Sequence, residues 1–164
     1  MLKLKKNIES HYITSYGEKI GEVICYIFDR CLKSDPIQDF LFSTKDHNYF
    51  FKSEDLDKNI FTTLPILDTE NIITSAIIKD PKYNEHFMSW EKGKEYVDLF
   101  FKDLPESKDI YTNSFWEKSP LNNIDKNEFE LSGWSRLSRN YWYDYGFVVI
   151  TKEKIGVLWF GHDS

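Results

Sequence analysis

Cysteine is scarce in this sequence. Cys25 and Cys31 are the only two among 164 residues, so a disulfide framework is not what holds the chain together. Six residues apart, they fit neither a CxxC redox pair nor a zinc knuckle, and a reducing compartment suits them. Seven glycines and five prolines are too few for a collagen-like or low-complexity chain. No apolar run approaches the roughly 18 to 20 residues that span a bilayer, and the lysine-rich start leads into polar residues instead of a signal-peptide core. A soluble, cytoplasmic protein with no membrane partner is the expectation. The phosphate-cradling patterns GxxxxGK[ST] and GxGxxG and the GxSxG elbow are missing. The four histidines, His11, His47, His86 and His162, show no HxH or HxxxH spacing, so neither metal nor cofactor is expected.

What is abundant is apolar and aromatic surface, at 41% and 17% of residues, which marks a globular chain. Its length fits one domain spanning 1–164. Acids exceed bases by six, and the isoelectric point near 5.2 opposes attraction to phosphate backbones, so nucleic acid is not an expected partner. The imbalance is local: residues 21–110 carry a net charge of -7 and the remainder +1. Such a stretch reads either as a solvated face or as one that attracts a basic protein.

Apolar residues at steps of three and four from Tyr16 to Cys31, behind a capping-box pattern at Ser15 and Glu18, predict a helix over 15–32; a hairpin through 17–19 competes. On that helix the two cysteines face apart. Asp35-Pro36 is read as its stop. Residues 39–43 and 48–52 read as a hairpin, 53–58 as a helical turn or acidic loop, and 60–67 and 71–78 as strands. A helix is expected over 85–104 with Gly93 as its weak point, followed by a long irregular connection over 105–127 with a helical turn at 114–118. Phe115 and Trp116 in that connection need cover from the core or from a partner. Alternation over 128–138, 141–151 and 154–161 predicts three consecutive antiparallel strands. The expected fold is therefore α+β, an antiparallel sheet with a C-terminal three-strand meander and helices packed mainly on one face.

Few residues suggest a chemistry. His162 beside Asp163 has the form of a base with a carboxylate neighbour, against which stands a solvated tail. Ser135, Arg136, Ser138 and Arg139 form the one basic, hydroxyl-bearing cluster, but strand alternation splits it between two faces. The aromatic run at 141–145 suits a core or a protein interface better than base stacking, which normally needs a basic groove.

This acidic profile, with no catalytic signature and an aromatic C-terminal meander ending in IGVLWFGHD at 155–163, resembles the small immunity proteins of bacterial polymorphic toxin and contact-dependent growth inhibition systems. The resemblance implies a cytoplasmic, monomeric or weakly dimeric inhibitor that neutralises a cognate basic toxin, often a nuclease, through an acidic and aromatic surface. The class has no common fold, so no site is carried over from it. From the charge and aromatic patterns, the candidate contacts are Glu54, Asp55, Asp57, Asp68 and Glu70, with Trp116 or Trp142 as apolar anchor. Two alternatives stand beside this reading: a small enzyme using Asp144 or Glu128 as acid or base in a cleft between the sheet and the 85–104 helix, and a homo-oligomer pairing through its last strand.

Overall fold

A computed structural model describes residues 1–12, 17, 21–31, 35–44, 51, 58–105, 108–120, 124–137 and 141–163. In chain order these form α1 (Leu2–Glu9), β1 (Gly21–Asp29), α2 (Pro36–Ser43), a single 3-10 turn (Lys58–Ile60), β2 (Thr62–Thr63), α3 (Thr69–Ile78) and α4 (Trp90–Phe101). Five further strands follow: β3 (Asp109–Thr112), β4 (Ser114–Lys118), β5 (Phe129–Trp134), β6 (Tyr143–Ile150) and β7 (Lys154–His162).

One antiparallel sheet has the order β1-β7-β6-β3-β2, and β4 pairs with β5 in a second, two-stranded sheet. β6 and β7 are joined by a tight turn in which Thr151 Oγ1 accepts from the Lys154 amide at 2.9 Å. β7 then lies between β1 and β6, with Gly21 of β1 and Tyr143 of β6 both opposite His162. Successive side chains point to opposite faces, and here both faces are covered. Val23, Phe147, Leu158 and Phe160 meet Ile8, Ile73 and Phe100 of α1, α3 and α4 on one side. Ile24, Val148, Val157 and Trp159 meet Ile37 and Phe40 of α2, with Phe51 and Leu137, on the other.

The α+β class and the antiparallel sheet agree with the sequence, and three of the four described helices share one face. The three C-terminal strands follow one another as expected, although β5 turns aside to pair with β4.

Several local expectations are corrected. Residues 21–29 of the expected 15–32 helix are strand β1. Their apolar spacing satisfies a helical period only because a strand buried on both faces carries apolar residues at odd and even positions alike. Cys25 is consequently buried in a strand, while Cys31 beyond it is exposed. Residues 39–43 belong to α2, because Asp35-Pro36 starts a helix: the Asp35 carboxylate accepts from the Ile37 amide at 3.0 Å and Pro36 fills the first helical position. Residues 71–78 lie in α3, which is buried on nearly every side and so shows no amphipathic period. Its Thr74 and Ser75 hydroxyls donate to carbonyls one turn back, both at 2.7 Å, so the burial leaves neither group unsatisfied. Of residues 60–67 only Thr62 and Thr63 are strand, and 114–118 is strand β4 instead of a helical turn. The expected strand at 48–52 and the turn at 53–58 lie outside the described residues, except for Phe51 and Lys58.

The 85–104 helix is present in shorter form as α4, capped where Ser89 Oγ accepts from the Lys92 amide at 3.2 Å. Gly93 is its point of contact with α3: a Cβ there would run into Ile78 and approach Thr74 Cγ2 to 3.1 Å.

Candidate interaction surface

The carboxylates expected as acid or base are both saturated by internal hydrogen bonds. Glu128, 1% exposed, precedes β5 and accepts from Lys79 Nζ at 3.1 Å, His86 Nε2 at 3.0 Å and the amides of Ile124 and Asp125 at 2.6 and 3.0 Å. Burial by itself raises its pKa, but the bonds from His86, Lys79 and Ile124 outweigh that and hold the carboxyl below its ordinary value. This group ties the 79–86 loop to the 124–128 loop. Asp144 is fully buried on the second face of the sheet and accepts from the Trp159 indole and the Leu137 amide. Neither carboxylate faces an open cleft.

His162 is not in a solvated tail. It ends β7, 2% exposed, with its ring 5.1 Å from that of Tyr12 and parallel to that of Tyr145 at 6.1 Å. Its Nε2 has no hydrogen-bond partner among the described residues, and burial lowers its pKa to about 4, so it is neutral at physiological pH.

The described acidic candidates flank an exposed apolar turn. Pro65 directs the chain away from β2, and its carbonyl accepts from the Asp68 amide at 3.2 Å and from Thr69 Oγ1 at 2.7 Å. That locked turn presents Ile66 and Leu67 at 90% and 92% exposure, with Asp68 half-buried and Glu70 exposed beside them. Between this turn, the β2–β3 edge and the end of α4 lies an open groove of about 590 Å³. Glu70 and Asp109 stand in its lining, and the one lysine among its described lining residues, Lys108, has its ammonium 4.4 Å from the centre of the Phe101 ring.

Trp116 and Trp142 are placed differently from each other. The Trp116 indole turns inward onto Tyr145 and Phe147, at 5.7 and 6.0 Å, and donates to Ser114 Oγ at 2.9 Å; its neighbour Phe115 is the exposed one, at 56%. Trp142 is 59% exposed, with the Arg136 guanidinium 5.8 Å from its ring. It precedes Tyr143 at one end of β6, whereas Asp109 in the groove pairs with Ile150 at the other, a separation of roughly 24 Å along the strand. The structure therefore does not bring Trp142 to the acidic turn. Glu54, Asp55 and Asp57 lie outside the described residues.

Ile66 and Leu67 were hidden in the sequence because they end an apolar stretch that reads as a buried strand. The signal for a turn was Pro65, followed by the cap-like Asp68-Thr69. β7 has strands on both sides, so pairing of two copies through it has no free edge to use. Among the described residues no three His, Cys, Asp or Glu side chains are grouped to hold a metal ion, and no helix is long and apolar enough to cross a membrane. No protein-family model matches the chain, and no curated protein or solved structure matches it.

Proposed function

We propose that this protein is a cytoplasmic, immunity-type inhibitor that binds a basic toxin, a nuclease being the class with the most cationic working surface, and masks it. The reading is supported above all by the Ile66–Leu67 turn: two adjacent aliphatic side chains held almost fully in water on a hydrogen-bonded turn, with Asp68 and Glu70 just after them. A lone exposed apolar residue is ordinary, but a fixed apolar pair with an acidic rim has the composition of an interface centre. The net charge of -7 over residues 21–110 supplies the long-range attraction for a cationic partner. Glu128 and Asp144 are engaged in internal hydrogen bonds, which is consistent with structural roles for both.

The test is recovery of the tagged protein from its host at low and high salt, with the captured partner assayed for toxicity alone and in complex. A basic partner whose activity the protein suppresses at one-to-one stoichiometry is the expected result. Leu67→Asp, which removes a contact at the interface centre, is expected to weaken that complex by roughly 30-fold or more. A suppressed partner bound equally well by Leu67→Asp would overturn this surface, and a captured partner with no activity to suppress would overturn the inhibitor reading.

A further inference from the structure

Resting on that reading, we propose that the groove beside the Ile66 turn receives an arginine side chain of the partner. Its walls include Leu64, Ile66, Phe101 and Ile110, which suit the apolar stem of a long basic side chain. Two carboxylates, Glu70 and Asp109, complete it, and both are exposed and take part in no ion pair among the described residues. The one lysine among the described lining residues, Lys108, has its ammonium over the Phe101 ring at 4.4 Å and forms no ion pair with either carboxylate, so it offsets only part of their charge. The groove thus joins an apolar channel to an excess of one negative charge, two carboxylates against one ammonium. At about 590 Å³ it falls within the range of roughly 300 to 1,000 Å³ typical of ligand pockets, which leaves room for the residues flanking the inserted side chain.

Arginine fits better than lysine for two reasons. Its guanidinium is the more weakly hydrated cation and loses less on entering a partly dry groove, and its planar fork engages carboxylates through paired N–H donors. Arginine is also among the residues that most often dominate binding energy at protein interfaces.

The groove is tested without the partner. Full-length ¹⁵N-labelled protein is titrated with N-acetyl-arginine amide, N-acetyl-lysine amide and N-acetyl-norleucine amide, and the amides of Leu64, Glu70 and Ile110 are followed. The arginine probe is expected to shift these amides in a saturable way and more tightly than the other two probes. Affinity should fall by roughly tenfold in the double variant Glu70→Gln/Asp109→Asn, whose remaining spectrum reports that the fold is kept. Silent groove amides, a lysine or norleucine probe that binds as tightly, or a double variant that titrates like the parent would each overturn the assignment. Leu67 does not line the groove. Release of the partner by Leu67→Asp alongside silent groove amides would therefore remove the arginine assignment and leave the inhibitor reading standing.

Discussion

Trp159 and Gly146 face each other across the β6–β7 ladder, with the indole ring lying over the glycine where a side chain would otherwise stand. A Cβ on Gly146 would overlap the ring and come within 2.7 Å of the Leu158 carbonyl. The same indole is walled by Phe51 at 5.3 Å and Phe40 at 6.2 Å, and its N–H is committed to Asp144, so it has no route of escape.

Gly146→Ala is therefore expected to destabilise the fold by about 1 to 3 kcal/mol, the usual cost of overpacking a filled core. Urea denaturation followed by tryptophan fluorescence measures it. An unchanged midpoint would mean that the second core yields more than its packing implies.

The Glu128 cluster yields a second expectation. Glu128→Ala leaves the Lys79 ammonium, 4% exposed, without its carboxylate partner, and a loss of about 3 to 5 kcal/mol is expected. The double variant Glu128→Leu/Lys79→Met should recover much of that, because the stranded charge is gone. Equal losses in the two variants would show that the carboxylate's bonds to the Ile124 and Asp125 amides dominate instead.

His162 gives a pH dependence. Its imidazole has a pKa of about 4 in the fold against an ordinary 6.5, so between those values the unfolded chain binds a proton that the folded chain refuses. Its contribution to stability is complete above about pH 6.5 and is lost as the pH falls toward 4. Between about pH 7 and 5 the loss amounts to about 2 kcal/mol, and Asp80, the charge that favours protonation, is too weak to cancel the effect of burial. Denaturant titrations of the parent and of His162→Phe across that window check it; a variant with the parent's slope would acquit the histidine.

Leu67→Asp should leave folding stability within about 0.5 kcal/mol of the parent, since the side chain is 92% exposed and touches no core. Thermal unfolding of the free protein measures this. A large loss would mean that the Pro65 turn, and not the binding contact, depends on Leu67.

The sequence was most legible where one structural rule acted alone. Strands β6 and β7, though buried on both faces, are dense in β-branched and aromatic residues and are parted by the polar Lys152-Glu153 connection. It misled where burial removed the period and the flanking residues did not decide the element: β1 and α3 are covered on both or nearly all sides, so neither showed the period that tells helix from strand. The Asp35-Pro36 pair was ambiguous in itself, being as good a start as a stop, and only the Asp35 bond to the Ile37 amide distinguishes the two. The acids of the candidate surface could be named in advance because charge is visible in composition. The exposure of Ile66 and Leu67 could not, because it depends on where Pro65 sends the chain.

The pairing of Gly21 with His162 has a consequence for synthesis. As the chain leaves the ribosome, β1 emerges well before its partner β7, which is translated only after everything from 30 to 153. Until then an apolar ribbon containing Val23, Ile24 and Ile27 waits with no described neighbour on that side, and β6 lacks the strand that separates it from β1. Sheet closure is consequently a late, long-range event, slow by the measure of contact order, and the nascent chain is exposed to chaperones and proteases throughout the wait. A fragment ending at Thr151 would carry both flanks of the sheet and nothing to join them.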